Sequence, residues 1–528
     1  MVRHRHDGAA RGVRRAAGVI KISQGGIVKK IVIVVVVVVL LLAVAPFGVG
    51  KLAEKRLDHG LATLVETAPY LTVVERKYTP GWFKSEQVVT FEAFGLWMKA
   101  LSPKALQDAM TQQSGDVETE AAIEEAPADA DAAAEEAVVP ETTSMPEEPL
   151  RFTVRNEVLH GPVLGLSGLG IARVESHLVL DEETRKEIEE IFGPKTPLEV
   201  TTRVGFLGGG TTTFKSDGRT ITPKDSKVEI TWETFKLAVG YSRNLDDYDV
   251  DGKWPKVEVT GKEAGTHFVM TNMTMDGDGK RVSGDLYDGD FDFSIGKIIF
   301  SGKDDEKVEV SNAHYLVNSE SKDEFTSMSA KMGVGEVKAK ALSAQGIELK
   351  EVHYDFSVRR LHSETLVKVI EGFKAAYAKP LNNALEVNDV MFAPLKEHGM
   401  ELLKHDPEFV IDRVGIVTAE GDGYIKGVVT LKGAIAEDFG AGSMALIGKI
   451  HADITIDVSE KMIQKLPNGS TGAGAAVDAG YAKREGDRLI CKIVFADGEL
   501  TVNGKPQAIP GLGGPPPGEE AEAPPPQE

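Results

Sequence analysis

The sharpest chemical pattern in the chain is Asp247-x-Asp249-x-Asp251-Gly252 followed by Glu258, the spacing of a calcium-binding loop. In such a loop the carboxylates converge on a hard cation while the central glycine makes the turn. The flanks argue against an EF-hand: Trp254-Pro255 sits inside the loop, and the sequel KVEVTG reads as a strand rather than an exiting helix. An acidic hairpin is the favoured reading. Ca2+ is the one cofactor the residues suggest, with Asp247, Asp249, Asp251 and Glu258 as its candidate ligands. A second acidic run, Asp276, Asp278, Asp285, Asp288 and Asp290, has turn glycines but no ligand frame and reads as charged β-turns.

Two histidines invite acid/base chemistry: His160 in His160-Gly161-Pro162, and His405 beside Asp406. Neither has a nucleophile in a recognisable setting. Ser167 in GLSGLG is not on a nucleophile elbow, and Cys491 falls in a strand pattern. There is no P-loop, zinc-helix signature or dinucleotide fingerprint. The expectation is therefore a protein without catalysis, in which His160 fixes a turn. For Trp82 and Phe83, core packing is favoured over anchoring at a bilayer or a partner.

These residues sit in a chain of 528 residues with formal net charge −21. Charge placement says more than the total. Residues 1–30 carry eight Lys or Arg against one Asp, whereas Ser114–Pro149 carries twelve Asp or Glu and no Lys or Arg. The rest is mildly acidic, which implies no nucleic-acid partner. With Cys491 as the lone cysteine, an intramolecular disulfide and a thiolate metal cluster are both excluded.

From Ile31 to Gly50 run twenty uncharged residues, IVIVVVVVVLLLAVAPFGVG. At about 1.5 Å per residue, that helix crosses a hydrocarbon core of about 30 Å. Ala43-Val44-Ala45 resembles a signal-peptidase site, but the length of the run, Pro46, and the helical pattern resuming at Lys51 favour an uncleaved anchor. Lys29, Lys30 and the basic residues before them place the N-terminus in the cytoplasm. VKKIVIVV at Val28 also looks like a natural start. The cytoplasmic membrane bilayer is then a partner, and the remainder lies in the periplasm.

The organisation expected is a basic N-terminus (1–30), the anchor (31–50), a juxtamembrane helix with a short strand module (51–112), a disordered acidic linker (113–149), a β-rich domain (150–510) and a disordered Pro/Glu tail (511–528). Within the β-rich domain period two dominates, as in Val228, Ile230, Trp232 and in Phe291, Phe293, Ile295. Asp-Gly and Asn-Gly pairs at 251, 276, 278, 422, 497 and 503 read as turns. Helices are expected near 181–192, 363–404 and 458–466, with Ser363 as a cap. The fold class is α+β, mostly β: a transmembrane helix, then an extended antiparallel meander with a few packed helices.

TPGWFKS at Thr79–Ser85, NEVLHGPVLGL at Asn156–Leu166, GPKTPLEVTTRVGF at Gly193–Phe206 and LTVNGKP at Leu500–Pro506 occur in the same order as in the YdgA-like proteins of bacteria, which the chain resembles. Gly81-Trp82-Phe83, His160-Gly161-Pro162 and Asn503-Gly504 are the motif residues. The resemblance implies an inner-membrane protein with its bulk in the periplasm, and no established activity. The acidic linker departs from that pattern in being longer.

The function expected is a membrane-anchored, non-enzymatic periplasmic protein binding an envelope lipid or protein as scaffold or carrier. The alternatives are a cation-dependent envelope hydrolase at Asp247–Glu258, or calcium used only for rigidity. A continuous apolar groove would favour lipid, and a purely polar concave face would oppose it.

Overall fold

The computed structural model describes Leu61, Val65, Ala68, residues 70–95 apart from Trp82, and residues 150–508 apart from 161–163, 165–167, 195–196, 224–225, 263–264, 303–305, 382–384, 436–446 and 467–468. The expected anchor Ile31–Gly50, the basic N-terminus, the acidic linker and the Pro/Glu tail lie outside the described residues. Among the described residues, no helix is long and apolar enough to cross a membrane.

The alternating runs form one antiparallel sheet of 23 strands. It opens with β1 (Leu71–Thr79), β2 (Lys84–Ala93), β3 (Leu150–His160), β4 (Ala172–Val179), β5 (Glu199–Val204) and β6 (Gly210–Ser216). Two broken strands follow: β7 (Arg219–Ile221) continues β6, and β8 (Val228–Trp232) leads into β9 (Phe235–Tyr241). The longest strands are β10 (Asp247–Gly261), β11 (Thr266–Ser283), β12 (Leu286–Ser301) and β13 (Lys307–Lys322). Next come β14 (Phe325–Val334), its continuation β15 (Val337–Ala339), β16 (Leu349–His362), β17 (Glu408–Thr418), β18 (Gly421–Leu431) and β19 (Ile450–Ser459). The sheet closes with β20 (Lys483–Glu485), β21 (Arg488–Ala496), β22 (Glu499–Val502) and β23 (Lys505–Gln507).

Strands pair with their neighbours in sequence, so the chain runs up and down. One consequence is that the β1–β2, β3–β4, β5–β6, β9–β10, β11–β12 and β16–β17 connections all leave from the same end of the sheet.

Six helices are described: α1 (Glu182–Phe192), α2 (Lys340–Ala344), α3 (Ser363–Tyr377), α4 (Leu385–Leu403), α5 (Glu460–Lys465) and α6 (Gly469–Asp478). Asp181 caps α1, its carboxylate accepting the Thr184 N–H at 2.8 Å. Ser363 does not cap α3. The cap position is His362, and the Ser363 hydroxyl instead meets Thr326 Oγ1 at 2.8 Å.

Opposed residues of an antiparallel ladder share a face, so the register reads as rows across the sheet. One row runs Val239, Val250, Gly277, Phe291, Val317, Ala330, Phe356, Ile411, Gly427, Ile454, Ile493, Val502. At about 4.8 Å per strand this all-apolar row extends for roughly 50 Å. The opposite face carries Asp249, Asp278, Asp290 and Asn318 in register. From β2 to β6 the apolar face is buried, with Phe91, Val154, Val158, Val174 and Phe214 at its core. Beyond β12 it is half-open, and Tyr315, Met332, Tyr354 and Phe409 are exposed.

Several Asp-Gly pairs read as turns lie instead within strands, and the reason is steric. Gly252, Gly277 and Gly279 sit on the apolar face beneath large neighbours: a Cβ at Gly279 would come within 2.3 Å of the Tyr248 ring, and one at Gly252 within 3.0 Å of Leu237 Cδ1. Only Asp497-Gly498 and Asn503-Gly504 have both residues in the left-handed region that a tight hairpin requires.

Candidate functional site

The α3–α4 hairpin leaves β16 and returns to β17 on the apolar face. Leu366 and Val369 of α3 are buried against Leu286 and Leu402, with Met328 and Leu361 of the sheet packed alongside. α4 is held to α3 by a close approach: a Cβ on Gly372 would lie 2.8 Å from Pro394 Cβ. Pro394 inside α4 removes a helical N–H and bends a helix at that point. Lys374 of α3 is ion-paired with Asp285, fixing the hairpin to the start of β12.

Between α4 and the sheet lies a groove of about 840 Å³. Its floor is Val358, Leu361, Phe409, Val429 and Leu431; its wall is Phe392, Leu395, Gly399, Met400 and Leu403. Lys396, Glu408 and Thr430 are its polar members, and Lys396 is engaged by Asp389 at 3.0 Å. The lining offers contact to hydrocarbon and almost no hydrogen bonding, which suits a flexible apolar ligand. Val358, Phe409 and Val429 form one cross-strand row, so the groove is continuous with the half-open apolar face. Cys491 lies on that face too, and burial pushes its thiol up.

The feet of the hairpin meet in an aromatic cluster. The His362 and His405 rings stack at 4.3 Å, Phe325 packs edge-on to both, and the Arg360 guanidinium lies over Phe325. Asp406, read as a partner for His405, instead accepts the Gly433 N–H at 2.7 Å.

The four candidate calcium ligands do not converge. Asp247, Asp249, Asp251 and Glu258 all lie on β10, which keeps one register with β11 on both sides of a break at Pro255 and Asn272. Eleven extended steps put about 36 Å between Asp247 and Glu258, far beyond the reach of one cation. Glu258 pairs with Lys256 and His267, each at 2.6 Å, and these hydrogen bonds lower its carboxyl below the ordinary range. Among the described residues, no group of three His, Cys, Asp or Glu side chains is placed to hold a metal ion. What the register does bring together are the two acidic runs, because Asp249, Asp278 and Asp290 stand side by side, as do Asp251, Asp276 and Asp292.

The motif residues converge better. Ser85 Oγ is 3.1 Å from His160 Nε2, and the Gly81 N–H donates to the same oxygen at 3.3 Å. Phe83, expected in the core, is 73% exposed; its backbone carbonyl accepts the His160 N–H. Trp82, Gly161 and Pro162 lie outside the described residues. Asn503 accepts the Lys492 N–H through its side-chain oxygen and donates to the Gly480 carbonyl, both at 3.0 Å, so Asn503-Gly504 is a structural turn.

Sequence reasoning missed the groove because its residues come from four separate elements. The available signal was Phe392, Leu395, Gly399 and Leu403, an uncharged stripe at helical spacing.

The chain belongs to a family of bacterial proteins of unknown function (DUF945), which it matches over residues 28–510. Comparison with curated proteins and with solved structures gives no match.

Proposed function

We propose that this DUF945 family member is a YdgA-like, inner-membrane-anchored periplasmic protein that holds the acyl part of an envelope lipid in the groove beneath α4, as a carrier or scaffold rather than a catalyst. The observation that carries the reading is the carbon-lined groove opening onto an apolar row that crosses the sheet. Its volume of about 840 Å³ lies in the range of small-molecule sites. Each methylene buried there contributes about 0.8 kcal/mol, so a ten-carbon stretch supplies roughly 8 kcal/mol before the cost of ordering the chain. The anchor and the compartment come from the sequence, where Lys29 and Lys30 precede the apolar run. A hydrolase built on Asp247, Asp249, Asp251 and Glu258 draws no support from a strand that holds those carboxylates apart.

The test is native mass spectrometry with lipid extraction on the full chain purified from its own membrane. A stoichiometric co-purifying lipid supports the reading. A bare polypeptide overturns it and favours a protein-binding scaffold, to be pursued by crosslinking.

A further inference from the structure

The end of the sheet from which the α3–α4 hairpin leaves also carries three consecutive connections with large apolar side chains in solvent. Phe83 between β1 and β2 is 73% exposed, Leu169 between β3 and β4 is 58% exposed, and Phe206 and Leu207 between β5 and β6 are 58% and 90% exposed. The three connections abut. The His160 N–H donates to the Phe83 carbonyl at 2.9 Å, the Arg203 guanidinium to the Leu169 carbonyl at 3.0 Å, and the Ile171 N–H to the Val204 carbonyl at 2.9 Å. The four side chains therefore belong to one patch rather than to scattered surface positions.

The three connections carry no acidic side chain, while the adjoining β9–β10 connection, whose Ser242 lies beside Gly209, brings Arg243 with Asp246 and Asp247. Pro80–Phe83, Gly161–Ile171 and Gly205–Gly210 contain no Asp or Glu, in a chain whose net charge is −21. The charges that flank them are Lys84, Arg173 and Arg203; Arg173 is paired with Glu175, while Lys84 and Arg203 are exposed. Exposed apolar side chains flanked by Lys84 and Arg203 match a bilayer interface whose headgroups are anionic. The groove wall residue Phe392, 55% exposed, belongs to the hairpin at this same end.

We propose that this end of the sheet docks on the surface of an anionic phospholipid bilayer, with Phe83, Leu169, Phe206 and Leu207 entering the interface. The purpose of the contact, transfer between bilayer and groove, rests on the lipid reading above; the contact itself rests on the tips. The test uses the full chain with Cys491→Ser, carrying a single fluorescent label at Leu207→Cys or, in separate samples, at Leu169→Cys or Val179→Cys. Val179 is 46% exposed and ends β4 at the opposite end of the sheet. The protein is reconstituted in phosphatidylethanolamine–phosphatidylglycerol vesicles containing nitroxide-labelled lipid. Labels at Leu207 and Leu169 are expected to be quenched several-fold more than the label at Val179, and less when phosphatidylcholine replaces the anionic lipid. Equal quenching at both ends, or none, overturns the proposal and assigns the tips to a protein partner. Lipid retained in the groove without quenching at Leu207 defeats the docking alone, whereas quenching with an empty groove defeats the groove reading alone.

Discussion

Ser85 Oγ and His160 Nε2 lie 3.1 Å apart, joining two motifs separated by 75 residues. The pairing follows from the register: Ser85 opposes Val158 on the β2–β3 ladder, and His160 stands two residues on, on the same face. Ser85 Oγ accepts the Gly81 N–H and also shares a hydrogen bond with the His160 imidazole, whose tautomer sets the donor. Ser85 is 5% exposed, so both bonds satisfy a group shielded from water. Ser85→Ala is expected to cost about 1–2 kcal/mol, read as a lowered urea midpoint at unchanged slope. A fluorophosphonate probe is expected to leave Ser85 unlabelled. Labelling would reinstate an enzymatic role for the pair.

The acidic rows on the polar face make a second prediction. Asp249, Asp278 and Asp290 oppose one another on three strands, with side chains about 5 Å apart at Cβ. Like charges so placed oppose folding. Asp278→Asn is expected to raise stability by about 0.5 kcal/mol at low ionic strength, and by less as salt screens the row. Denaturant midpoints at two salt concentrations check this. A stabilisation by added Ca2+ that the variant loses would show instead that the row holds a cation.

The strands were legible because period two survives in a sheet with one charged and one apolar face, as in Asp290-Phe291-Asp292-Phe293. The helix α1 was legible from Asp181 at its start and Gly193-Pro194 beyond its end. Strand length was not. Asp251-Gly252 and Asp278-Gly279 look like turns locally, and only the cross-strand neighbours Leu237 and Tyr248 show that the missing Cβ makes room for a side chain. α6 was hidden by its composition, GSTGAGAAVD, which reads as a loop. The groove was hidden because no local pattern records that Val358, Gly399, Phe409 and Val429 meet.

Acid should expose a specific contribution from Glu309. Its carboxylate is hydrogen-bonded by Lys307 and, at 3.1 Å, by Lys297 across the β12–β13 ladder, and these partners hold it down to about 2 from an ordinary value of 4.5. A carboxyl depressed in the folded state stabilises fully above its unfolded value and loses that contribution as pH falls through its folded value. The stability difference between wild type and Glu309→Gln should thus be constant above about 4.5, shrink below it, and vanish near 2. Because the pairs border solvent, the difference at neutral pH is expected to be about 0.5–1 kcal/mol. Urea titrations across that range test the sign: a difference that grows on acidification would contradict it.

Gly399 offers the most direct handle on the groove. It lines the wall within α4, and a Cβ built there meets nothing within 4 Å, so a larger side chain points into open space rather than into the packed core. Gly399→Leu replaces a poor helix former by a good one, a gain of about 0.8 kcal/mol, so the fold should be at least as stable as the wild type. Its side chain occupies room for about three methylenes of ligand. At about 0.8 kcal/mol each this corresponds to roughly a fifty-fold loss of affinity. Lipid recovered per mole of purified protein should fall accordingly, while the thermal midpoint holds or rises. Because stability and binding move in opposite directions, loss of lipid cannot be attributed to unfolding, and undiminished lipid in a stable Gly399→Leu protein would place the ligand elsewhere on the apolar face.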